Sequence, residues 1–383
     1  MKIVREKTVG LLLLIALILL SSCREDELIF TSNTVQVAFP RGSDSRILGF
    51  YQLNEGNMGM NRASIDRFDA RAGTYTTDIY SERNPDVVKE LGDVGNDIKI
   101  YGNKVYVVIN CSNKIEVLDK WTAKRLKVIQ VPNCRYMAFH GDKAYISSYS
   151  GSVAIHPNAE IGFVAEIDTT TLELTRKVTV GYQPEEMAIH DGKLYVANSG
   201  GYRVPNYDRT VSVVDLKTFT ELKKIDVGIN LHRMQIDQRG DLYVSSRGDY
   251  YYTPADVFVV DTKTEKVTER LGIGANDMCM SGDSLYFYSV QWNYLTNSNT
   301  ITYGILDTRT KKVVNDKIIT DGTDKKIMLP YGIQVDPETK DIYITDAQNY
   351  VVTGYLYCFS PEGKMKWKTL AGNIPGHFAF IYR

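Results

Sequence analysis

The 383-residue chain is poor in cysteine and histidine, with five of each, and its 45 basic and 46 acidic side chains leave a net charge of only −1. No cysteine pair has metal-ligand spacing such as Cys-x-x-Cys, which excludes a zinc-ribbon type of fold, and no metal site is expected. The charge balance supplies no strong field for a polyanion, so nucleic acid is not an expected partner. A nucleophile elbow of the Gly-x-Ser-x-Gly type, a His-Glu-x-x-His helix and a phosphate-binding glycine loop are all missing. Without them the chain reads as a non-enzyme with no cofactor. Its one uninterrupted apolar run, LLLLIALILL at residues 11–20, is too short to span a bilayer.

What the chain has in abundance is tyrosine, 26 in all, and seven of these sit in a repeated strand motif. The copies are KVYVV (104–108), KAYIS (143–147), KLYVA (193–197), DLYVS (241–245), SLYFY (284–288) and DIYIT (341–345), with a weaker first copy GFYQL (49–53). Their central residues are Tyr51, Tyr106, Tyr145, Tyr195, Tyr243, Tyr286 and Tyr343, spaced 39 to 57 residues apart. Strands recurring at about 40–50 residues define a β-propeller. A short apolar strand precedes each later copy, and a strand ending in Asp119, Asp168, Asp215, Asp261 or Asp307 follows five of them. An outer strand then completes a four-stranded unit, labelled a to d from the centre outward. The first unit lacks strand a, and the last residues, HFAFIY (377–382), form a strand a with no unit after it. The expectation is an all-β, seven-bladed propeller spanning residues 46–383, with one blade closed by strands from both termini. The strand-b tyrosines are assigned to packing between blades, and the terminal aspartates to turn capping.

The N-terminus reads as an export signal. Lys2, Arg5 and Lys7 precede the apolar run, and Leu20-Ser21-Ser22-Cys23 resembles a bacterial lipobox. Residues 1–22 are therefore expected to be a lipoprotein signal peptide, Cys23 the lipidated residue, and 23–45 a tether. The acidic cluster Glu25-Asp26-Glu27 resembles the surface-export signal of Bacteroidetes lipoproteins. The expected location is the outer membrane, lipid-anchored and facing the cell exterior. Of the other cysteines, Cys279 and Cys358 fall in strands and are expected to be buried free thiols, whereas Cys111 and Cys134 share a face and leave a disulfide open.

The loops divide the two faces of the propeller. The b–c loops are long and carry Tyr149, His156, Tyr202, Tyr207, Tyr250, Tyr251, Tyr252, Trp292, Tyr294 and Tyr350, whereas the turns of the opposite face are short and nearly free of aromatics. The residues before each strand a should ring the channel mouth: Asn96-Asp97, Arg135-Tyr136, Glu185-Glu186, His232-Arg233, Asn276-Asp277, Tyr331-Gly332 and Gly376-His377. Tyr and Trp combine apolar area with a polar tip, which suits a large, partly apolar, hydrogen-bonding ligand. The expected ligand-binding residues are Arg135, Tyr136, Tyr207, His232, Arg233, Tyr251, Trp292, Tyr294 and Tyr331. Asp97, Glu186 and Asp277 could in principle hold a calcium ion at the channel mouth, but they lack the Asn/Asp pattern such sites show. His140 and His190 sit at equivalent places after strand a and read as structural.

The blades resemble the YncE-like and surface-layer-type propellers of Bacteroidetes. The segments GFYQLNEGNMGMNRASIDRFD (49–69) and DLYVSSRGDYYYTPADVFVVD (241–261) resemble their lipoprotein members, among them the cell-surface cobalamin-binding proteins of the BtuG type. The resemblance implies capture of vitamin B12 or a related corrinoid and its transfer to a TonB-dependent outer-membrane transporter. Two other classes stay open: a glycan-binding surface lipoprotein, and a protein-interaction scaffold of the cell envelope.

Overall fold

The computed structural model describes residues 32–87, 90–293 and 297–383. The expected signal peptide, Cys23 and the first part of the expected tether lie outside these residues, as does Tyr294. Among the described residues no helix is long and apolar enough to cross a membrane. Seven antiparallel sheets are arranged as the blades of a propeller, six of them four-stranded and one five-stranded. Blade 2 begins at Gly95–Tyr101, blade 3 at Cys134–His140, blade 4 at Pro184–His190 and blade 5 at Leu231–Ile236. Blades 6 and 7 begin at Asp277–Ser281 and Pro330–Val335. Each then continues outward in chain order through strands b, c and d.

Blade 1 is built from both ends of the chain, as the repeat count requires. The C-terminal strand Pro375–Tyr382 lies innermost and pairs with Ile47–Asn54, setting Phe50 opposite Phe380 and Tyr51 opposite Ala379. Phe50 also meets Tyr343 of blade 7 edge-on at 4.9 Å, and Phe68 lies 5.3 Å from Trp367, so an aromatic cluster seals the junction of first and last blades. The N-terminal boundary differs from the expectation. Residues 33–45 are not a free tether: Asn33–Gln36 adds a fifth strand to blade 1 by pairing with Thr74–Thr77. Downstream, Arg41 pairs with Asp336 at 2.6 Å, and Ser45 donates to Glu338. Without the added strand, Thr74–Thr77 would be a bare sheet edge, and Asn-Thr-Val-Gln has the β-branched residues to cover it.

The burial pattern explains why the inner strands are so regular in sequence. Strand b lies between neighbouring blades, so both of its faces are covered; in Lys104–Ile109 every residue after the lysine is buried. Outer strands such as Lys266–Arg270 are exposed throughout, and their charged residues discourage edge-to-edge association.

At three of the seven blade junctions the repeated Tyr and Asp form one device. The Tyr51 hydroxyl donates to the Lys120 carbonyl at 2.9 Å, Tyr243 to Thr308 at 3.1 Å and Tyr195 to Thr262 at 3.4 Å. Each acceptor is the residue following a strand-c aspartate of the next blade. The aspartate in turn fixes that turn: Asp119 accepts the Trp121 and Thr122 amides, and Asp307 those of Arg309 and Thr310. A hydroxyl buried in one blade is thus bolted to a capped turn in the next. Tyr106 is an exception, with a buried hydroxyl that has no partner. Tyr286 is another, being only partly buried, and the Tyr343 hydroxyl instead accepts from Arg41 at 3.3 Å.

Tyr243→Phe leaves the Thr308 carbonyl without its donor and is expected to cost about 1–2 kcal/mol, seen as a lowered thermal midpoint. Tyr106→Phe removes a hydroxyl that bonds to nothing and is expected to leave the midpoint unchanged or raise it.

Candidate functional site

Convergence of the strands a places two rings of side chains around the axis. The outer ring is Asn96, Arg135, Glu185, His232, Asn276, Tyr331 and Gly376, and the inner ring is the residue following each. Above them a cavity of about 820 Å³ opens on the b–c loop face. All seven blades contribute to its wall, from Glu55 in blade 1 to Tyr350 in blade 7. A smaller space of about 300 Å³ lies in the channel around Asp97, Lys99, Glu186 and Asp277, and Arg233 borders both.

The ring carboxylates Asp97, Glu186 and Asp277 are engaged by the fold. Asp97 accepts the Met137 amide at 2.9 Å, Glu186 the Met234 amide at 2.7 Å and Asp277 the Ile333 amide at 3.1 Å. Blades 2, 4 and 6 thereby latch the inner strands of blades 3, 5 and 7. No group of three or more potential metal ligands occurs among the described residues.

The cavity floor is a charged network. Glu185, fully buried, receives Arg135 through Nε at 3.2 Å and Nη2 at 3.1 Å, Arg247 through Nη1 at 3.2 Å, and the Tyr149 hydroxyl. The Arg135 guanidinium stacks 4.7 Å from the Tyr149 ring centre. Arg233 Nε stands 3.1 Å from Asp277 but off the hydrogen-bond axis, and its guanidinium lies 5.2 Å from the Tyr136 ring. Tyr136 and His232 share a hydrogen bond of 3.1 Å. Burial, reinforced by Arg247, Arg233 and Arg135, pushes the His232 imidazole well below its usual range and keeps it neutral. Burial alone would raise the Glu185 carboxyl, but Arg135, Arg247 and Tyr149 outweigh it and hold it below the ordinary range. On the opposite wall Glu55 is bonded to the Tyr331 hydroxyl at 2.7 Å and to His377 at 2.9 Å.

The rim is aromatic. Trp292, half exposed, projects from a hairpin. The sequence suggested a loop over residues 289–300, but strands b and c of blade 6 run on to Asn293 and from Ser298, and Trp292 pairs in register with Asn299. Tyr250 and Tyr350 come from loops in blades 5 and 7, and both have left-handed backbones, φ 66° and 67°. That conformation is uncommon for bulky residues and costs free energy, so the surrounding loop must impose it. Around Tyr250 the means are visible: Asp249 accepts the amides of Tyr251, Tyr252 and Thr253 at 2.7–2.9 Å.

Six of the nine expected binding residues line the cavity: Arg135, Tyr136, His232, Arg233, Trp292 and Tyr331. Four of these, Arg135, Tyr136, His232 and Arg233, are largely buried and hold one another, so they form a floor rather than free contacts. Tyr207 and Tyr251 do not line the cavity. They gather beside Tyr250 on the outer rim, where Tyr251 is 77% exposed. Glu55, Tyr250, Arg247, Tyr288 and Tyr350 line the cavity but were not among the nine. Glu55 and Arg247 have a sequence signal. Each stands four residues after its strand-b tyrosine, and Asn110 and Val290 occupy the same repeat position in the wall. Cys111 and Cys134 are both free, the former on the cavity wall and the latter buried against the Ile109 and Lys114 carbonyls. Burial pushes the Cys134 thiol up to about 12. Cys279 and Cys358 are buried free thiols.

Fold and site together define a seven-bladed propeller with a ligand-sized cavity on its elaborated face. The chain belongs to a family described as a domain of unknown function, DUF5074, whose model matches residues 48–369. No curated protein matches it. Among solved structures, a quinonprotein alcohol dehydrogenase-like protein from Bacteroides thetaiotaomicron VPI-5482 is 15% identical, with a TM-score of 0.57 over 87% of this chain and 78% of the other. Hydrazine synthase of Kuenenia stuttgartiensis is 16% identical, with a TM-score of 0.55 over 69% of this chain and 76% of the other. At these identities the likeness is one of fold.

Removing the shared carboxylate tests the floor. Because Glu185 titrates below the ordinary value when folded, its contribution is complete above about pH 4 and is lost as pH falls through the lowered value. Glu185→Gln is expected to lower the thermal midpoint at pH 7 and to flatten its decline on acidification, as followed by circular dichroism. An unchanged acid slope would contradict the network.

Proposed function

We propose that the protein is a non-enzymatic surface lipoprotein that captures a corrinoid in this cavity and passes it to a TonB-dependent outer-membrane transporter. The observation that carries the reading is the pairing of a broad aromatic rim with an interior of amide, guanidinium and carboxylate groups around about 820 Å³. A corrinoid is a wide ring with apolar faces and an edge of amides. Trp292, Tyr250 and Tyr350 offer area for the faces, while Asn276, exposed in the wall with its Oδ1 accepting the Val290 amide, keeps its side-chain N–H groups for the ligand's amide carbonyls. A wall contributed by seven blades is preformed, so little ordering entropy opposes capture. The non-enzymatic reading is supported by the state of the ionisable groups: His232 is neutral and bonded to Tyr136, and Glu185 is saturated by four donor contacts from Arg135, Arg247 and Tyr149.

The lipid anchor at Cys23 and the outer-membrane location rest on the sequence of residues 1–27. Exposed apolar loop tips around the cavity, including Met58, Ile155, Tyr252 and Val351, favour a protein partner on the same face. The strand Asn33–Gln36 runs antiparallel to Thr74–Thr77, so its first residue lies at the end nearer that face.

Calorimetric titration of residues 24–383 with cyanocobalamin is expected to give tight one-to-one binding. The double replacement Trp292→Ala with Tyr350→Ala is expected to weaken it at least about tenfold, each aromatic contact being worth roughly 1 kcal/mol. Absence of heat, with no colour retained after desalting, overturns the corrinoid reading. Binding to a polysaccharide panel would then support glycan capture, and co-purification of an envelope protein a scaffold.

A further inference from the structure

The charges around Glu185 do not balance. Two guanidiniums, Arg135 and Arg247, share this one carboxylate, and two positive charges against one negative leave an excess of one. Deeper in the channel Arg233 and Lys99 face three carboxylates, Asp277, Glu186 and Asp97, so neither cation adds to this excess, and His232 is neutral. Glu55 is held on the opposite wall by Tyr331 and His377. The excess is also presented outward. The Glu185 side chain has no exposure and that of Arg135 only 12%, whereas that of Arg247 has 28% and lines the cavity. Arg247 commits Nη1 to Glu185, leaving the rest of its planar fork directed to the cavity side of the network. A buried carboxylate therefore holds two guanidiniums in place while neutralising only one.

We propose that Arg247, backed by Arg135, is an anion-binding subsite in the cavity wall, and that it receives the phosphodiester of the captured ligand's nucleotide loop. The second half rests on the corrinoid reading; the first does not. An arginine fork suits a phosphate oxygen pair, and its hydrogen bonds are charge-assisted. Pre-positioning by Glu185 and the Tyr149 stack removes much of the entropy cost of ordering the side chain. The subsite makes the cavity selective: corrinoids that carry the phosphodiester are preferred over those that lack it.

Two measurements on residues 24–383 test this. In the first, the phosphorus resonance of inorganic phosphate is followed on adding protein. The wild type is expected to broaden it, with the effect suppressed by high salt and lost in Arg247→Gln. In the second, cyanocobalamin is compared with cobinamide, which lacks the phosphodiester. Cobinamide is expected to bind at least about tenfold more weakly to the wild type, and Arg247→Gln is expected to abolish the difference. Arg247→Lys keeps the Glu185 ion pair and guards against a folding defect; it is expected to retain broadening and a reduced preference. Broadening without binding of either corrinoid keeps the anion subsite and rejects the corrinoid reading. An unbroadened phosphate line, equal corrinoid affinities, or a preference that survives Arg247→Gln overturns the proposal.

Discussion

Closure of the ring is the constraint on which the rest of the structure depends. Seven twisted sheets can share one axis only if every blade is held against both neighbours, and the last blade must meet the first. This chain meets that demand by pairing Pro375–Tyr382 with Ile47–Asn54, so that separation of the termini would open the whole circle. The same demand sets the repeat. At three junctions a tyrosine hydroxyl reaches from one blade to the turn of the next, where a strand-c aspartate keeps that turn in place. Nearer the axis, Asp97, Glu186 and Asp277 do similar work by accepting backbone amides across alternate blade junctions.

A closed ring gives the cavity its character. Its floor cannot rearrange freely, because the side chains there also join blades: Glu185 of blade 4 ties Arg135 of blade 3 to Arg247 of blade 5. Variation is left to the b–c loops, which can lengthen or change composition without disturbing closure. Blade 6 has used that freedom to extend a hairpin carrying Trp292, and blades 5 and 7 to hold Tyr250 and Tyr350 in left-handed conformations. Hydrogen bonds within each loop hold these conformations, as Asp249 does by accepting the amides of Tyr251, Tyr252 and Thr253.

The architecture was legible because it is written seven times. Strand-b tyrosine, strand-c aspartate and the unpaired final strand together specify blade number and closure. The added strand Asn33–Gln36 was not legible, since four residues with no repeat partner resemble any polar linker. The site was half legible. Arg135, Tyr136, His232, Arg233 and Tyr331, singled out by their position before strand a, line the cavity, but sequence cannot say that four aromatic or charged neighbours will satisfy one another. Tyr207 and Tyr251 are aromatic and in loops, but lining depends on where each loop turns, and neither lines the cavity. Arg247 and Glu55 obey the repeat, and counting four residues on from each strand-b tyrosine finds both.

The central claim is that this one face takes a corrinoid, and hydrogen-exchange mass spectrometry with and without cyanocobalamin tests it most directly. The account predicts that protection gained on binding concentrates in peptides covering residues 247–252, 289–293 and 347–352, with the outer strands unchanged. Protection confined to the outer strands or to the opposite-face turns, or none at saturating ligand, would contradict it.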